Sequence, residues 1–406
     1  MKLRLHWQIF IGLALGILVG WLVGPPATSL KILGDLFIKV LKLIAVPLIF
    51  AQLTLGVFSI GDPSKLGRIG LKTFVYFTLT TLISVGIGLV LVNLIQPGVG
   101  ADLGLAALPE NLNQGPPGIK QLIMNLVPDN IFYSLANTDV LGVVFFSLFF
   151  GFVLASIPEK AAVVVGVLDG VNEAMLRMTE IIMKTAPIGV FALMAAMIGA
   201  KGLAILGSLV KYMLTVISGL VINAFIVLPL LLIVFARYSP RNFFKGMATA
   251  LVTAFSTSSS AASLPITLES VEKRLGVHPS IVGFVMPLGA TINQNGTALY
   301  ESVAAMFIAQ AYGIPMTIEK QLMIFLTAAL TSIGATGIPA AGLVTLALVL
   351  KAVGLPLEGI GIILAVDRIL DMCRTTVNVQ GDAVGAVIIA RSEKMLSPAT
   401  VEEPAA

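Results

Sequence analysis

Apolar runs separated by short polar stretches recur from one end of the chain to the other. Those near 7–23, 36–60, 74–95, 140–157, 181–200 and 209–236 read as helices able to cross hydrocarbon about 30 Å thick. After Lys245 the pattern changes. The stretch "GMATALVTAFSTSSSAASLPITLESVEKR" is apolar, then small and polar, then apolar again, then basic. A single crossing would strand one of its flanking basic clusters outside, whereas a hairpin that dips in and returns keeps both inside. The segment "IFLTAALTSIGATGIPAAGLVTLALVLKAVGL" has the same small-residue break. The two breaks align: "TSSSAASLP" at 257–265 and "TSIGATGIP" at 331–339 share their opening Thr-Ser, an inner Ala and a closing aliphatic-Pro. Paired interruptions of this kind point to a secondary transporter's binding site. Two small-residue packing motifs are the competing explanation.

Composition supports the same picture. The chain has 406 residues, 57% of them hydrophobic and 11% charged, where a soluble domain carries about 25% charged residues. So few charges could hardly cover a soluble surface, and the chain reads as an all-α polytopic membrane protein. Its net charge of +4 is too small for a nucleic-acid binder, which clusters its bases. One cysteine, Cys373, and two histidines, His6 and His278, support neither an internal disulfide nor a zinc constellation. An intramembrane hydrolase using the serine run would lack a base, because neither histidine lies in a polar core segment. No cofactor is expected.

Loop charges orient the spans. Lys2 and Arg4, then Lys65, Arg68 and Lys72, then Arg237, Arg241 and Lys245, and finally Arg391 and Lys394 share the cytoplasmic side if the spans alternate. The long connection "QPGVGADLGLAALPENLNQGPPG" has only acidic charges and fits the outside. The basic start "MKLRLHWQIF" is followed by no convincing small-residue cleavage site, so the first run reads as a retained span.

Two segments place polar chemistry at membrane depth. In "AVDRILDMCRTTVNVQGDAVGAVIIA", Asp367, Asp371, Arg374, Asn378 and Asp382 fall near one helical face. Ionisable residues there are costly and by default functional. Arg374 can hold a carboxylate bidentately, and Asp371, one turn earlier, can accept an ammonium group. Together they suit an amino acid with an extra carboxylate, whose main-chain carboxylate would sit at the broken-helix tips. Asp382 is a candidate cation ligand. A neutralised cluster with Arg374 paired to Asp371 is the simpler alternative, and it leaves Asn378 and Asp382 unexplained. The second segment, "GATINQNGTALYES" at 289–302, packs Thr291, Asn293, Gln294, Asn295, Thr297 and Glu301 together, with Glu301 its lone charge.

With "KTAPIGVFALM", "STSSSAASLPIT", "PLGATINQNGTALYE", "TSIGATGIPAAGLVT" and "DRILDMCRTTVNVQGD" in order along nearly the whole chain, the sequence resembles the dicarboxylate/amino acid:cation symporters, the family of excitatory amino-acid transporters. The resemblance implies the glutamate-transporter (elevator) fold, with eight transmembrane helices plus two re-entrant hairpins, assembled as a homotrimer. It implies scaffold helices in 1–70 and 125–200, a moving transport domain in 71–96 and 205–394, and a disordered tail from 395 to 406. Short outer loops without large insertions point to a bacterial plasma membrane, and the loop charges to cytoplasmic termini.

Position by position, the resemblance makes Arg374 the ligand of the substrate's side-chain carboxylate and Asp371 that of its amino group. Thr297, Thr375 and Asn378 are further substrate contacts; Ser259, Ser260, Ile338 and Gly342 are contacts at the two hairpin tips. Asp382, with Asn293 and Asn378, matches one sodium site, and Thr80, Thr81 and Asn295 match another. At the latter the family usually carries Asp where this chain has Asn295, and Gln294 replaces a Met near a third site. A carboxylate dominates the attraction for a hard cation, so that sodium site reads as degraded. Glu301 matches the proton acceptor of the proton-coupled branch. The expectation is a symporter of L-glutamate and L-aspartate, proton-coupled, with sodium dependence weakened or absent. A sodium-coupled symporter, a dicarboxylate symporter and, more distantly, an anion channel are the alternatives.

Overall fold

A computed structural model describes residues 5–59, 67–101, 127–137, 140–203, 205–332 and 341–397. Helices account for nearly all of the described residues; the one pairing of extended backbone is an isolated bridge between Val277 and Leu396.

One set of helices packs among itself. Helices α1 (Leu5–Val23), α2 (Lys31–Ser59), α4 (Ile131–Asn137), α5 (Val140–Ser156), α6 (Pro158–Met183) and α7 (Ala186–Lys201) make it up, with α7 against α1 and α2, and α2 also against α5 and α6. A close approach runs along α1 and α7, where a side chain on Gly16 would begin 2.6 Å from the Phe191 carbonyl oxygen. Helix α6 is an element that the apolar pattern does not predict. Glu159, Lys160, Asp169, Glu173 and Arg177 interrupt it, so it forms no apolar run, yet it buries Ala161 and Leu168 in a cluster with Leu154. Its helical period rather than its mean hydropathy accounts for it.

The second set is built around two buried helices, α12 (Asn295–Ala311) and α15 (Ile360–Ser392). Around them lie α3 (Gly67–Ile95), α8 (Ile205–Ile222, continued by π-helical turns to Ala236), α9 (Pro240–Thr257), α10 (Ser260–Glu269), α11 (Pro279–Ile292), α13 (Ile318–Ser332) and α14 (Ala341–Ala352). All of α12 except Gln310 is buried, by α3, α8, α13, α14 and α15. The two sets touch where α15 meets α7 and α2, where α11 and α14 meet α2, and where α13 and α14 meet α5.

Among the described residues, Arg68–Ile95 and Leu206–Ala236 are long and apolar enough to cross a membrane. The runs at Trp7–Val23, Val46–Phe58, Phe145–Ser156, Ala186–Ala200 and Gly342–Ala352 are shorter apolar helices.

Three helix interruptions shape the second set. Helix α9 ends at Ser258, which adopts a left-handed conformation (φ 52°), and Ser259 caps α10 by accepting from the Ala262 N–H at 3.1 Å. This turn falls within the small polar break of the sequence, and α9 and α10 pack against each other. Helices α11 and α12 are separated by Asn293 and Gln294 alone. Helices α13 and α14 also pack as a pair; the break between them, with Ile338, lies outside the described residues.

The end of α15 is tied down. Glu393 accepts hydrogen bonds from Arg68 at the start of α3, Nε to Oε1 2.9 Å, and from Lys72, Nζ to Oε1 2.6 Å. The Arg68 hydrogen bond, followed by that of Lys72, holds the Glu393 carboxyl at about 2 instead of the ordinary 4.5. Just beyond, the His278 N–H donates to Met395 O at 3.1 Å and the Ser397 N–H to Gly276 O at 2.9 Å. Ordered pairing therefore reaches three residues into the segment expected as a tail, and 398–406 lie outside the described residues.

Candidate functional site

The polar face of α15 meets the break between α11 and α12. Asn378 Oδ1 accepts from the Gly296 N–H at 2.7 Å, and Asn378 Nδ2 donates to Gln294 Oε1 at 2.6 Å and to Thr297 Oγ1 at 3.2 Å. Thr297 also donates to Gln294 Oε1 at 3.2 Å. The backbone exposed by the break thus finds its partners on α15, as buried backbone must. Glycine makes the approach possible. A Cβ on Gly296 would lie 2.7 Å from the Arg374 carbonyl oxygen, and one on Gly381 2.6 Å from Asn295 Nδ2.

Arg374 is buried and paired twice within its own helix. Its Nε donates to Asp371 Oδ1 at 3.0 Å and Nη1 to Asp367 Oδ1 at 2.9 Å. The ring of Tyr300 lies beneath it, with the guanidinium carbon 4.2 Å from the ring centroid. Nη2 lies 2.9 Å from Asp371 Oδ1 but makes no aligned hydrogen bond and is buried. Gly342 stands against this group: a Cβ there would lie 2.9 Å from the guanidinium carbon. Sequence reasoning placed Asp367 on the polar face but gave it no role. Its partner is Arg374, seven residues or about two full turns away, and that spacing is the signal that could have paired them.

Glu301 lies on α12 with no solvent exposure. Its carboxylate is held by two hydroxyls, Thr345 on α14 to Oε1 and Thr331 on α13 to Oε2, the latter at 3.2 Å. The helix pair α13–α14 therefore closes on Glu301 from both sides. Each threonine also has a carbonyl within reach of its one proton: Thr331 to Thr327 O at 2.7 Å and Thr345 to Gly342 O at 3.3 Å.

Asp382, also buried, accepts from Asn293 Nδ2 at 2.8 Å, which leaves Asn293 Oδ1 buried without a donor. Gly289 admits the carboxylate, since a Cβ there would lie 2.6 Å from Asp382 Oδ1. Nearby, the Tyr76 hydroxyl donates to Gly381 O at 3.1 Å. Asn295 Oδ1 accepts from the Gly296 N–H at 2.8 Å, and its Nδ2 is buried without an acceptor. Among the described residues no group of three or more His, Cys, Asp and Glu side chains could hold a metal ion.

The remaining sequence-derived residues are more loosely joined. Thr80 and Thr81 are buried on α3, and the Thr80 hydroxyl turns back to Tyr76 O and Phe77 O at 2.9 and 3.1 Å rather than towards Asn295. Thr375 is buried beside Arg374. Ser259 and Ser260 are buried at the α9–α10 turn, where the Ser259 hydroxyl oxygen is engaged as a helix cap.

Comparison with known proteins adds to this geometry. A sequence profile described as the "Sodium:dicarboxylate symporter family" matches residues 5–392. The chain is 39% identical over 405 residues, 97% of itself and 95% of the relative, to the proton/sodium-glutamate symport protein of Geobacillus stearothermophilus. It is 37% identical to the proton/glutamate-aspartate symporter of Escherichia coli, covering 97% of itself and 93% of the relative. It is 38% identical to excitatory amino acid transporter 3 of Mus musculus, covering 97% and 86% respectively. With a profile match over nearly its whole length and relatives of this similarity, the chain belongs to the sodium:dicarboxylate symporter family.

Proposed function

We propose that the protein is a secondary symporter of acidic amino acids, L-glutamate and L-aspartate, coupled to protons through Glu301, with weak or no dependence on sodium. The observation that carries the proton assignment is the setting of Glu301: buried, and held by two neutral hydroxyls. That setting accommodates both protonation states. As a carboxylate, Glu301 accepts from Thr331 and Thr345. As an acid, it donates to Thr345, whose own proton turns to Gly342 O.

Substrate fits the Arg374 cluster by exchange. The side-chain carboxylate takes Nη2, the guanidinium nitrogen without an aligned acceptor, and the ammonium group takes Asp371. Thr297, Thr375 and Asn378 line the site, with the tips at Ser259, Ser260, Ile338 and Gly342 as further contacts. Asp367 keeps Arg374 neutralised while Asp371 changes partner. Charge balance calls for one monovalent cation per substrate, which a proton satisfies. An acidic amino acid adds one negative charge, and a proton on Glu301 removes one, so the loaded and empty cores carry the same charge into a medium where uncompensated charge is costly.

The transport domain of this reading is 71–96 with 205–394, moving as an elevator against a scaffold of 1–70 and 125–200, in a homotrimer of eight-span protomers. The α9–α10 and α13–α14 pairs serve as re-entrant hairpins. The protein sits in a bacterial plasma membrane with both termini cytoplasmic. The separate packing of two helix sets supports this division. A sodium-coupled symporter is the second reading, favoured by the donor-free Asn293 Oδ1 beside Asp382.

Liposomes containing the purified protein test both readings. Radiolabelled aspartate and glutamate should accumulate under an inward proton gradient without sodium, and Glu301→Gln should abolish that accumulation. Uptake that requires sodium and ignores pH would overturn proton coupling in favour of the second reading.

A further inference from the structure

A crevice of about 590 Å³ opens between α3, the π-helical end of α8 and the end of α15. Its walls are apolar, from Leu71, Val75 and Leu79 on α3, Phe235 on α8 and Ile388 on α15. Its volume is that of a ligand pocket. Leu79, 54% exposed, and Phe235, 62% exposed, face outward beside it, on helices long and apolar enough to span a bilayer.

Two polar side chains stand at one end of the crevice, with basic residues close by in the sequence. Lys72 and Ser392 line it, joined by a 2.9 Å hydrogen bond. Arg68 lies one turn before Lys72, Arg237 two residues beyond Phe235, and Arg391 beside Ser392. Within these three segments the lone acid is Glu393, shared between Arg68 and Lys72. Arg68 remains 72% exposed despite that pair, and Arg237 makes no ion pair with any described residue. An apolar slot capped by excess positive charge is complementary to an amphiphile with an anionic head. A second hollow of about 520 Å³, lined by Leu18, Trp21 and Leu203, is equally apolar but has no charged lining and carries no such complementarity.

We propose that the crevice between α3, α8 and α15 is a specific site for an anionic phospholipid, one acyl chain lying along Val75 and Leu79 and the phosphate resting on the Lys72–Arg237 rim. Basic residues at a helix end attract anionic headgroups in this way, and the concave slot between three helices distinguishes the site from the surrounding lipid. The site is separate from the Arg374 and Glu301 clusters. It touches their surroundings through Tyr76, which donates to Gly381 O, and through Thr80, both of which line the crevice.

The full-length protein is reconstituted in phosphatidylcholine vesicles doped with phosphatidylglycerol, extracted, and its retained lipids counted by native mass spectrometry. Wild type should keep phosphatidylglycerol in preference to phosphatidylcholine. Leu79→Trp, which fills the slot, should lower that retention about tenfold. Arg237→Asn, chosen because Asn tolerates the left-handed backbone at this position and leaves the Glu393 pair intact, should cut the preference about fivefold. Leu18→Trp in the uncharged hollow should change neither. Equal retention of the two lipids by wild type, or unchanged retention in Leu79→Trp, would mean annular lipid only and overturn the proposal.

Discussion

Arg374 reaches back along its own helix to Asp367, with Nη1 2.9 Å from the carboxylate, while Asp371 holds its Nε. Arg374 therefore serves two buried acids, and Arg368 stands 3.7 Å from the second oxygen of Asp371. Asp367→Asn keeps the shape and removes one charge. It should destabilise the protein by roughly 1–3 kcal/mol, read as a lower melting temperature. It should also tighten aspartate binding by about fivefold, because a negative charge leaves the neighbourhood of an anion site.

Arg374→Ala leaves Asp367 without its counter-charge and Asp371 with Arg368 alone, 3.7 Å away, at a cost of about 3–5 kcal/mol. Loss of substrate binding in that variant is then confounded with loss of structure. The double variant Arg374→Ala/Asp367→Asn should recover part of the stability while still failing to bind aspartate in isothermal titration. Strictly additive melting shifts would show that the pair is not coupled.

Glu301 depends on hydroxyls from both arms of the α13–α14 pair. Thr345→Val removes one at nearly constant volume, leaves Oε1 without that donor, and should slow proton-driven uptake. Thr345→Ser restores the hydroxyl and should restore the rate. Equal uptake by all three proteins would place the proton elsewhere.

Glu393 supplies a pH test away from the transport site. Its carboxyl is held at about 2 by Arg68 and Lys72, below the ordinary 4.5. A depressed acid stabilises the folded state fully above 4.5 and loses that contribution as pH falls through about 2. The stability gap between wild type and Glu393→Gln should be constant from neutral pH down to about 5 and close below it. Hydrogen exchange at Met395–Ser397, which pair with the 276–278 segment, should rise in the variant.

Gly381→Ala would bring a methyl to 2.6 Å from Asn295 Nδ2 and 3.0 Å from Asn293 Nδ2. Overpacking of this kind costs about 1–3 kcal/mol. The methyl should push α15 away from the helix break and weaken substrate binding along with stability. Gly283, where an added side chain meets open space, is the control position.

Much of this was legible in the chain. The run Ser258–Ser260 foretold the α9–α10 turn because small hydroxyl residues suit a helix end and a cap. The polar face of α15 followed from helical spacing alone. Helix α6 was hidden because its charges fall inside an amphipathic helix, and a search for apolar runs passes over it. The partners of Glu301 were hidden for a different reason. Thr331 and Thr345 lie 30 and 44 residues away, and only the packing of three helices brings them together. The Glu393 tie to Arg68 spans 325 residues and leaves no local trace.

The missing side chain at Gly381 leaves the wall beside Asn295 almost no slack. A larger residue at Asn295 has nowhere to go, and a smaller one opens a void. Aspartate, however, has the same outline as asparagine and differs in charge. Here the electrical character of the core can be rewritten while its shape is conserved.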